Sequence, residues 1–423
     1  MSATDSISIF AEGTFEDQIK ELVEYLTQGQ SDEEKAAYIQ PFINALAIPE
    51  GQKPFAEDAA RRKQVITLVL KEVKGLGEGT ERESEGFFNL LFAHFLSLFP
   101  LDAPETKNHI TTLLHTITAA EKPATIKYRI LSNLFNSLPR RSGLRLTVNK
   151  ALVELAATND ELEQLQLSDV EVERWLSEWE ISAEEKSAYL KTLVDVYAQT
   201  GDANASYKFE LLYVKSLPPS SVSGPAQDLI ATALRLPNVF DFDALFRIDA
   251  ITAAKGTELF ELLQIYLNDG LVEYKAWEQK HDDAITKHNL DKAQLERKIR
   301  LLSLTTLAFQ NVGRDLTYAV IADLLQVEPS QVERWVIDVI RAGLVFGKLS
   351  QTSQSFHIIR ATARAFEREQ WEALEKRLTA WKSGLAGVVE VVAAARKRNA
   401  PEAPTPATNG VETPAQQPQA AAA

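Results

Sequence analysis

The sequence predicts an all-α dominated fold, in which an irregular α-solenoid of helix pairs leads into a winged-helix module with a small β-wing and a long C-terminal helix. Apolar residues recur at three- and four-residue steps over most of the 423 residues, as on the buried faces of amphipathic helices. Strand-like alternation is scarce before residue 343. From residue 399 onwards the chain is rich in proline and alanine and too poor in apolar residues to form a core.

Helical spacing and helix-start signals locate the first helices. Three buried faces are predicted, the third of them apolar nearly all round: Ile19, Leu22, Val23 and Leu26; Val65, Ile66, Val69, Leu70 and Val73; Phe87, Phe88, Leu91, Phe92, Phe95, Leu96 and Phe99. Capping-box patterns, in which a hydroxyl and a carboxylate satisfy first-turn amides, begin at Ser31, Ser168 and Ser182. Asp102 followed by Pro104 predicts a further cap with proline in the first turn.

Two local patterns in this region have a structural and a functional interpretation. Gly75, Gly77 and Gly79 alternate, but no strand precedes them, so they predict a flexible connection between helices rather than a phosphate loop. Trp175 and Trp179 are four residues apart on one helix. We expect them to pack in the core rather than to form an aromatic cage.

The chain changes character at residue 292. The predicted elements are a helix (292–310), a brief extended stretch (315–316), a short helix (317–325), a turn (328–330), a third helix (331–342) and two strands (344–350 and 355–359). The third helix is expected to end at Gly343 in a left-handed cap. This is the order of elements in a winged helix.

The winged helix has two possible roles. In a nucleic-acid binder the third helix would enter a groove, with Gln331, Arg334, Asp338 and Arg341 facing outwards. Acidic residues beside the two arginines make a poor phosphate-contact surface, so we favour a protein-packing module. Arg334, Arg341 and Lys348 are the candidates for contact with a partner or with RNA.

The last helix carries a candidate partner-binding seam. Trp371, Leu374, Leu378, Trp381 and Leu385 follow one another at steps of three and four residues, the a/d spacing of a coiled coil. The positions beside them are largely charged. The seam could pack on the chain's own winged helix, but we favour the helices of partner proteins, joined in a bundle.

Composition excludes several functions. The chain has no cysteine, and its six histidines form no HExxH motif, so we expect no catalytic residues, no metal site, no cofactor and no enzyme activity. The N-terminus lacks the pattern of a signal or transit peptide, and no run approaches about 18 apolar residues. We therefore expect that nothing in the chain spans a membrane.

Charge is unevenly distributed along the chain, whose formal net charge is -14. Residues 292–360 contain nine Lys or Arg against six Asp or Glu, and residues 361–398 contain eight against five, so the excess acid lies in the front of the chain. An acidic front binds phosphate backbones poorly. Any direct RNA contact is therefore expected only in the back third of the chain.

The stretch LLQVEPSQVERWVIDVIRAGLVFGKLS, residues 324–350, resembles the winged-helix half of a PCI domain. The family takes its name from the proteasome lid, the signalosome and an initiation factor, and in it a helical solenoid leads directly into the winged helix. Within the family, the sequence most resembles the M subunits of eukaryotic translation initiation factor 3. The residues that carry this resemblance are 335–341, 348–352, Phe366, 370–374 and 381–382. Before Tyr207 the similarity consists mainly of the helical hydrophobic pattern.

The resemblance implies a cytoplasmic, non-catalytic scaffold subunit of the initiation factor 3 complex, which supports pre-initiation complex assembly on the small ribosomal subunit. Such a subunit would have no membrane contact and no small-molecule substrate. Its partners would be other PCI-containing subunits, held by PCI–PCI and helical-bundle contacts, and the small ribosomal subunit through the complex. The alternatives are a scaffold subunit of the signalosome or proteasome lid and a winged-helix nucleic-acid-binding protein.

The resemblance also divides the chain. The predicted domains are an N-terminal solenoid (1–206), the helical half of the PCI domain (207–291), its winged-helix half (292–360), a C-terminal helix (361–398) and a disordered tail (399–423).

Overall fold

The structure is a computed structural model that describes residues 13–47, 55–218, 221–365 and 368–398. The N-terminal residues, Phe366 and the Pro/Ala tail lie outside the described residues. The chain divides into two compact units, one up to Arg364 and one from Ala365 onwards. The all-α dominated fold class is confirmed; the five domain boundaries stay a prediction.

The first unit begins with a long series of helices whose apolar faces share one core. That core contains all three apolar faces expected from the sequence. Sequential neighbours pack on one another: α3 contacts α4, α6 contacts α7, and α10 contacts α11. The helices are α1 (Phe15–Leu26), α2 (Asp32–Leu46), α3 (Ala59–Glu72), α4 (Glu81–Leu98), α5 (Pro104–Ala119), α6 (Ala124–Ser137), α7 (Leu144–Thr158), α8 (Leu162–Leu165), α9 (Asp169–Glu178), α10 (Ala183–Gln199) and α11 (Ala203–Ser216).

Helix caps follow the sequence with one exception. Complete capping boxes form at Ser31 and Ser182, and the Ser168 hydroxyl accepts a hydrogen bond from a first-turn amide of α9. The expected cap at Asp102 is wrong. Ala103 is the N-cap of α5 and Pro104 is its first residue, because the missing amide of proline costs nothing in the first turn.

The glycines after α3 lie in a packed junction. A Cβ atom on Gly77 or on Gly79 would lie 2.7 Å from the ring of Tyr25, whereas at Gly75 nothing lies within 4 Å. The Tyr25 hydroxyl donates a hydrogen bond to the carbonyl oxygen of Leu76, so α1 is fastened to this connection. Two of the three glycines therefore serve close packing, which corrects the expectation of a flexible connection.

The tryptophan pair of α9 packs as expected. The rings of Trp175 and Trp179 stack with centroids 6.0 Å apart, and both contact the ring of Phe135. Trp179 is buried.

A second core lies around the next helices of the first unit, from Tyr207 to Leu302. Its centre includes the buried rings of Phe242, Tyr266 and Tyr274. The helices are α12 (Ser223–Arg235), α13 (Phe242–Phe246), α14 (Glu258–Asn268), α15 (Leu271–Lys280), α16 (Asp282–Lys287) and α17 (Lys292–Gln310).

The winged helix has the predicted elements in the predicted order. They are β1 (Asp315–Thr317), α18 (Tyr318–Leu325), α19 (Val332–Arg341), β2 (Val345–Ser350) and β3 (Ser355–Ala361). The three strands form an antiparallel sheet in the order β1-β3-β2. Gly343 has φ +73°, the left-handed conformation expected where α19 ends.

The second unit contains one described helix, α20 (Arg368–Arg398), with 31 residues.

Candidate functional site

The outward face of α19 differs from the sequence expectation at one position. Asp338 is half-buried and accepts a hydrogen bond from Arg297 of α17 over 3.4 Å, so it is not an outward residue as expected. Ile337 is instead 45% exposed, between Arg334 and Arg341. The exposed stripe of α19 is therefore two arginines flanking an isoleucine.

Glu333, at the start of α19, is held within the winged helix. One of its carboxylate oxygens accepts a hydrogen bond from Gln351 in the wing over 2.8 Å, and the other accepts one from the hydroxyl of Tyr318 over 3.3 Å. This carboxylate therefore fastens the turn of the wing to the third helix. Lys348 is exposed on β2, on a different element from Arg334 and Arg341.

Arg364, the last residue of the first unit, is anchored to α14. Its guanidinium donates hydrogen bonds to the carbonyl oxygens of Ile265 over 2.8 Å, of Tyr266, and of Asp269 over 2.7 Å. The Ile265 carbonyl also accepts the backbone amide of Asp269, whereas the Tyr266 and Asp269 carbonyls lie at and just beyond the end of α14, where helical partners run out. Burial lowers the pKa of Arg364 to about 10. The backbone just after β3 is thus fixed.

The predicted seam of α20 is exposed. Trp381 is 67% exposed, Leu378 53% and Leu385 47%. Charged side chains on the same helix are also exposed, among them Glu375, Lys376 and Lys382. Large apolar side chains at a/d spacing gain free energy when another helix covers them. The arrangement therefore suits a protein partner.

Two family models match the chain. A PCI domain matches residues 278–359, and a model described as the C-terminal helix of eIF3 subunit M matches residues 364–392. Proteins named eukaryotic translation initiation factor 3 subunit M are similar over almost the whole chain. The one from Phaeosphaeria nodorum is 30% identical over 92% of this chain and 89% of its own length. Those from Aspergillus clavatus and Neosartorya fischeri are 32% and 33% identical, over 92% of this chain and 86% and 87% of their own lengths.

The chain belongs to the eukaryotic translation initiation factor 3 subunit M family. This confirms the resemblance that the sequence predicts.

The subunit M helix match extends beyond the predicted seam. Val388 and Val392 continue its spacing after Leu385, and both are more than half exposed. Sequence reasoning missed them, although the same steps of three and four residues could have found them. Val389 and Val391 are exposed beside them, so the apolar stripe widens towards the end of α20. A wider stripe provides contact area for more than one neighbouring helix.

The same part of α20 has the length and composition of a candidate membrane span. Leu374–Arg396, a 23-residue stretch, is long and apolar enough to cross a bilayer, judged by length and composition only. The sequence expectation counted uninterrupted apolar runs, whereas here a few charged residues interrupt an apolar stretch. That nothing in the chain spans a membrane stays a prediction.

Lys298 of α17 is a buried group that sequence reasoning missed. Its side chain is 1% exposed, and its ammonium group donates hydrogen bonds to the carbonyl oxygens of Ala233 and Leu234 at the end of α12. Burial lowers its pKa to about 7. No side-chain cluster that could hold a metal ion occurs within the described ranges.

Proposed function

We propose that the chain is a non-catalytic scaffold subunit of the eukaryotic translation initiation factor 3 complex. The observation that carries this proposal is the exposed seam of α20, which lies within the residues matched by the family's C-terminal helix. Burying apolar surface contributes about 25 cal/mol for each Å² removed from water, and several large side chains of the seam present such surface. In this proposal, partner helices cover the seam in a helical bundle.

The charge pattern of α20 favours a protein partner over a bilayer. Lys376, Arg377 and Lys382 lie within the stretch that is long enough to span, and charged side chains are costly in the hydrocarbon core. In a coiled coil, by contrast, charged residues beside an a/d seam remain in water and select the partner.

The winged helix supplies the second contact of the proposed scaffold. Glu333 and Asp338 are engaged inside the module, which leaves Arg334, Ile337 and Arg341 as the exposed stripe of α19. A stripe with an apolar centre and charged rim suits a neighbouring PCI subunit. The subunit would reach the small ribosomal subunit through the complex, in the cytoplasm.

Affinity purification of the tagged full chain, followed by mass spectrometry of the co-purified proteins, tests the proposal. We expect the other subunits of initiation factor 3 at near-equal amounts. Recovery of signalosome or proteasome-lid subunits instead would contradict the proposal and favour the corresponding alternative.

A further inference from the structure

The outer face of the β2–β3 hairpin combines apolar and basic side chains. Phe346 is 54% exposed and Ile359 is 43% exposed, and Lys348 and Arg360 are exposed beside them. The inner face of the same hairpin, with Val345, Phe356 and Ile358, is buried in the core of the winged helix. The outer face therefore contributes nothing to that core.

A bulge concentrates these side chains. Phe346 pairs with Arg360, but the next residue, Gly347, pairs with Ile358, so Ile359 is the extra residue of β3. Ile359 and Arg360 are consequently both exposed, although neighbouring residues of a regular strand face opposite sides. Phe346 thus lies directly opposite Arg360 on β3, and the side chain of Ile359 is next to Arg360.

Glycine is required beside this cluster. A Cβ atom on Gly347 would lie 2.3 Å from the carbonyl oxygen of His357 and 2.6 Å from the ring of Phe356. The close approach of the two strands fixes the positions of Phe346 and Lys348, which flank Gly347. The face is therefore preorganised.

The hairpin lacks acidic residues in a chain that is otherwise rich in them. Between Asp338 and Glu367 the sequence contains no Asp or Glu and four Lys or Arg, whereas acidic residues number 59 in the 423 of the whole chain. From the neighbouring strand, Asp315 is engaged by His357, whose Nδ1 lies 2.7 Å from its carboxylate. His357 in turn pairs with Lys348 across the sheet. The face is therefore locally basic on an acidic protein.

We propose that this face binds single-stranded RNA, with a base stacked on Phe346 and backbone phosphates held by Lys348 and Arg360. An exposed aromatic ring on a sheet, flanked by cations, is the combination that binds unpaired nucleotides. The exposed apolar side chain of α19 is an isoleucine, which offers a base no flat ring to stack on, whereas the hairpin presents the exposed ring of Phe346 beside its cations. The inference goes beyond the proposed function, because a scaffold subunit needs no RNA contact of its own.

Fluorescence polarisation with the purified full chain and a fluorescein-labelled 12-nucleotide oligouridine tests this inference. Two phosphate contacts on a single strand predict that affinity falls about sevenfold between 50 and 200 mM salt. The double variant K348Q/R360Q should bind at least about fivefold more weakly at 50 mM salt and lose most of the salt dependence. The matched control R174Q/K208Q removes one arginine and one lysine from exposed positions of α9 and α11 and should stay within about twofold of the wild type.

Stacking of a base on the ring of Phe346 is tested with separate variants. F346A and F346L should each bind at least about fivefold more weakly and keep the salt dependence, because both remove the stacking surface and neither removes a cation. Leucine retains apolar contact, so a surface meant for a protein would tolerate F346L. Because the changed side chains are exposed, thermal melting should be unaffected.

The inference is overturned if the wild type binds no more tightly than K348Q/R360Q, or if F346A leaves affinity unchanged. A 12-base-pair duplex RNA that binds as tightly as oligouridine would contradict single-strand binding. Loss of co-purified proteins from F346A with unchanged RNA affinity would identify a protein as the occupant. Co-purification of initiation factor subunits is a separate readout, so the scaffold proposal can hold when this one fails.

Discussion

The ammonium nitrogen of Lys298 lies 2.8 Å from the carbonyl oxygen of Ala233. Residue 298 is in α17 and residue 233 is near the end of α12, so this contact joins two helices through residues that are 65 positions apart in the chain. A buried ammonium is tolerated here because the last carbonyls of a helix have no partner within it. The ring of Phe242 lies 5.5 Å from the same nitrogen.

K298M should destabilise the protein increasingly as the pH rises from 7. The variant leaves two buried carbonyls unsatisfied, at a cost of about 1–3 kcal/mol. Burial lowers the pKa of Lys298 from 10.5 to about 7 in the folded protein, so above pH 7 the unfolded chain binds more protons than the folded one. The free energy of unfolding of the wild type therefore gains up to about 1.4 kcal/mol per pH unit from this group, and the variant lacks that gain.

Urea denaturation at pH 6, 7 and 8 measures the difference between wild type and K298M. The control K208M removes an exposed lysine from α11 and should show no pH-dependent difference. A deficit of K298M that stays constant, or shrinks, as the pH rises would contradict the assigned titration.

Alanine at Gly77 or Gly79 should destabilise the protein by about 1–3 kcal/mol, because the added methyl group overlaps the ring of Tyr25. Gly77 adds backbone strain, since its φ is +70°. Thermal unfolding checks the effect. Gly75 provides the control, because nothing lies within 4 Å of the added carbon and G75A should change stability by no more than about 0.5 kcal/mol.

R364K should loosen the end of the first unit. Lysine keeps the charge, but its three donors share one nitrogen and cannot reproduce the fork in which Nε, Nη1 and Nη2 of Arg364 each reach a different carbonyl. We therefore expect a loss of about 1–3 kcal/mol and faster cleavage by elastase near residues 361–365. R360K changes an exposed arginine of the preceding strand and is the control. Equal cleavage rates for R364K and the wild type would refute the anchoring role.

W381D/L385D should release the chain from its complex while leaving the first unit folded. Each aspartate would bring an unpaired charge into the buried centre of the bundle, which costs more than about 2 kcal/mol for each position. Affinity purification measures the loss of co-purified subunits, and thermal melting checks the fold.

The matched control for this seam is K376D/S383D. These two positions are seven residues apart, as in the heptad repeat, and lie opposite the seam, so the same two aspartates should leave co-purification intact. V388D/V392D should act like the seam variant if the seam extends as the exposed valines indicate. Undiminished recovery of subunits with W381D/L385D would rule out the seam as the binding surface.

Local signals predicted the winged helix well. The left-handed cap at Gly343, the inward face of α19 and the two strands of the wing each follow from short-range spacing and chain stereochemistry. The outward position assigned to Asp338 was wrong, because its orientation depends on Arg297, 41 residues away. The spacing of the seam is local, so its residues from Trp371 to Leu385 were predicted from the sequence. The prediction ended at Leu385 and left out Val388 and Val392, which continue the same spacing.

The sequence by itself determined the helices, their starts and ends, the order of elements in the winged helix and the seam of α20, because all of these depend on residues within a few positions of one another. Only the tertiary structure decided which polar groups lie buried and what they bind. Lys298 is held by Ala233, Arg364 by the end of α14, and Gly77 by the ring of Tyr25. Those contacts join residues 52 to 99 positions apart, and no local pattern encodes such a distance.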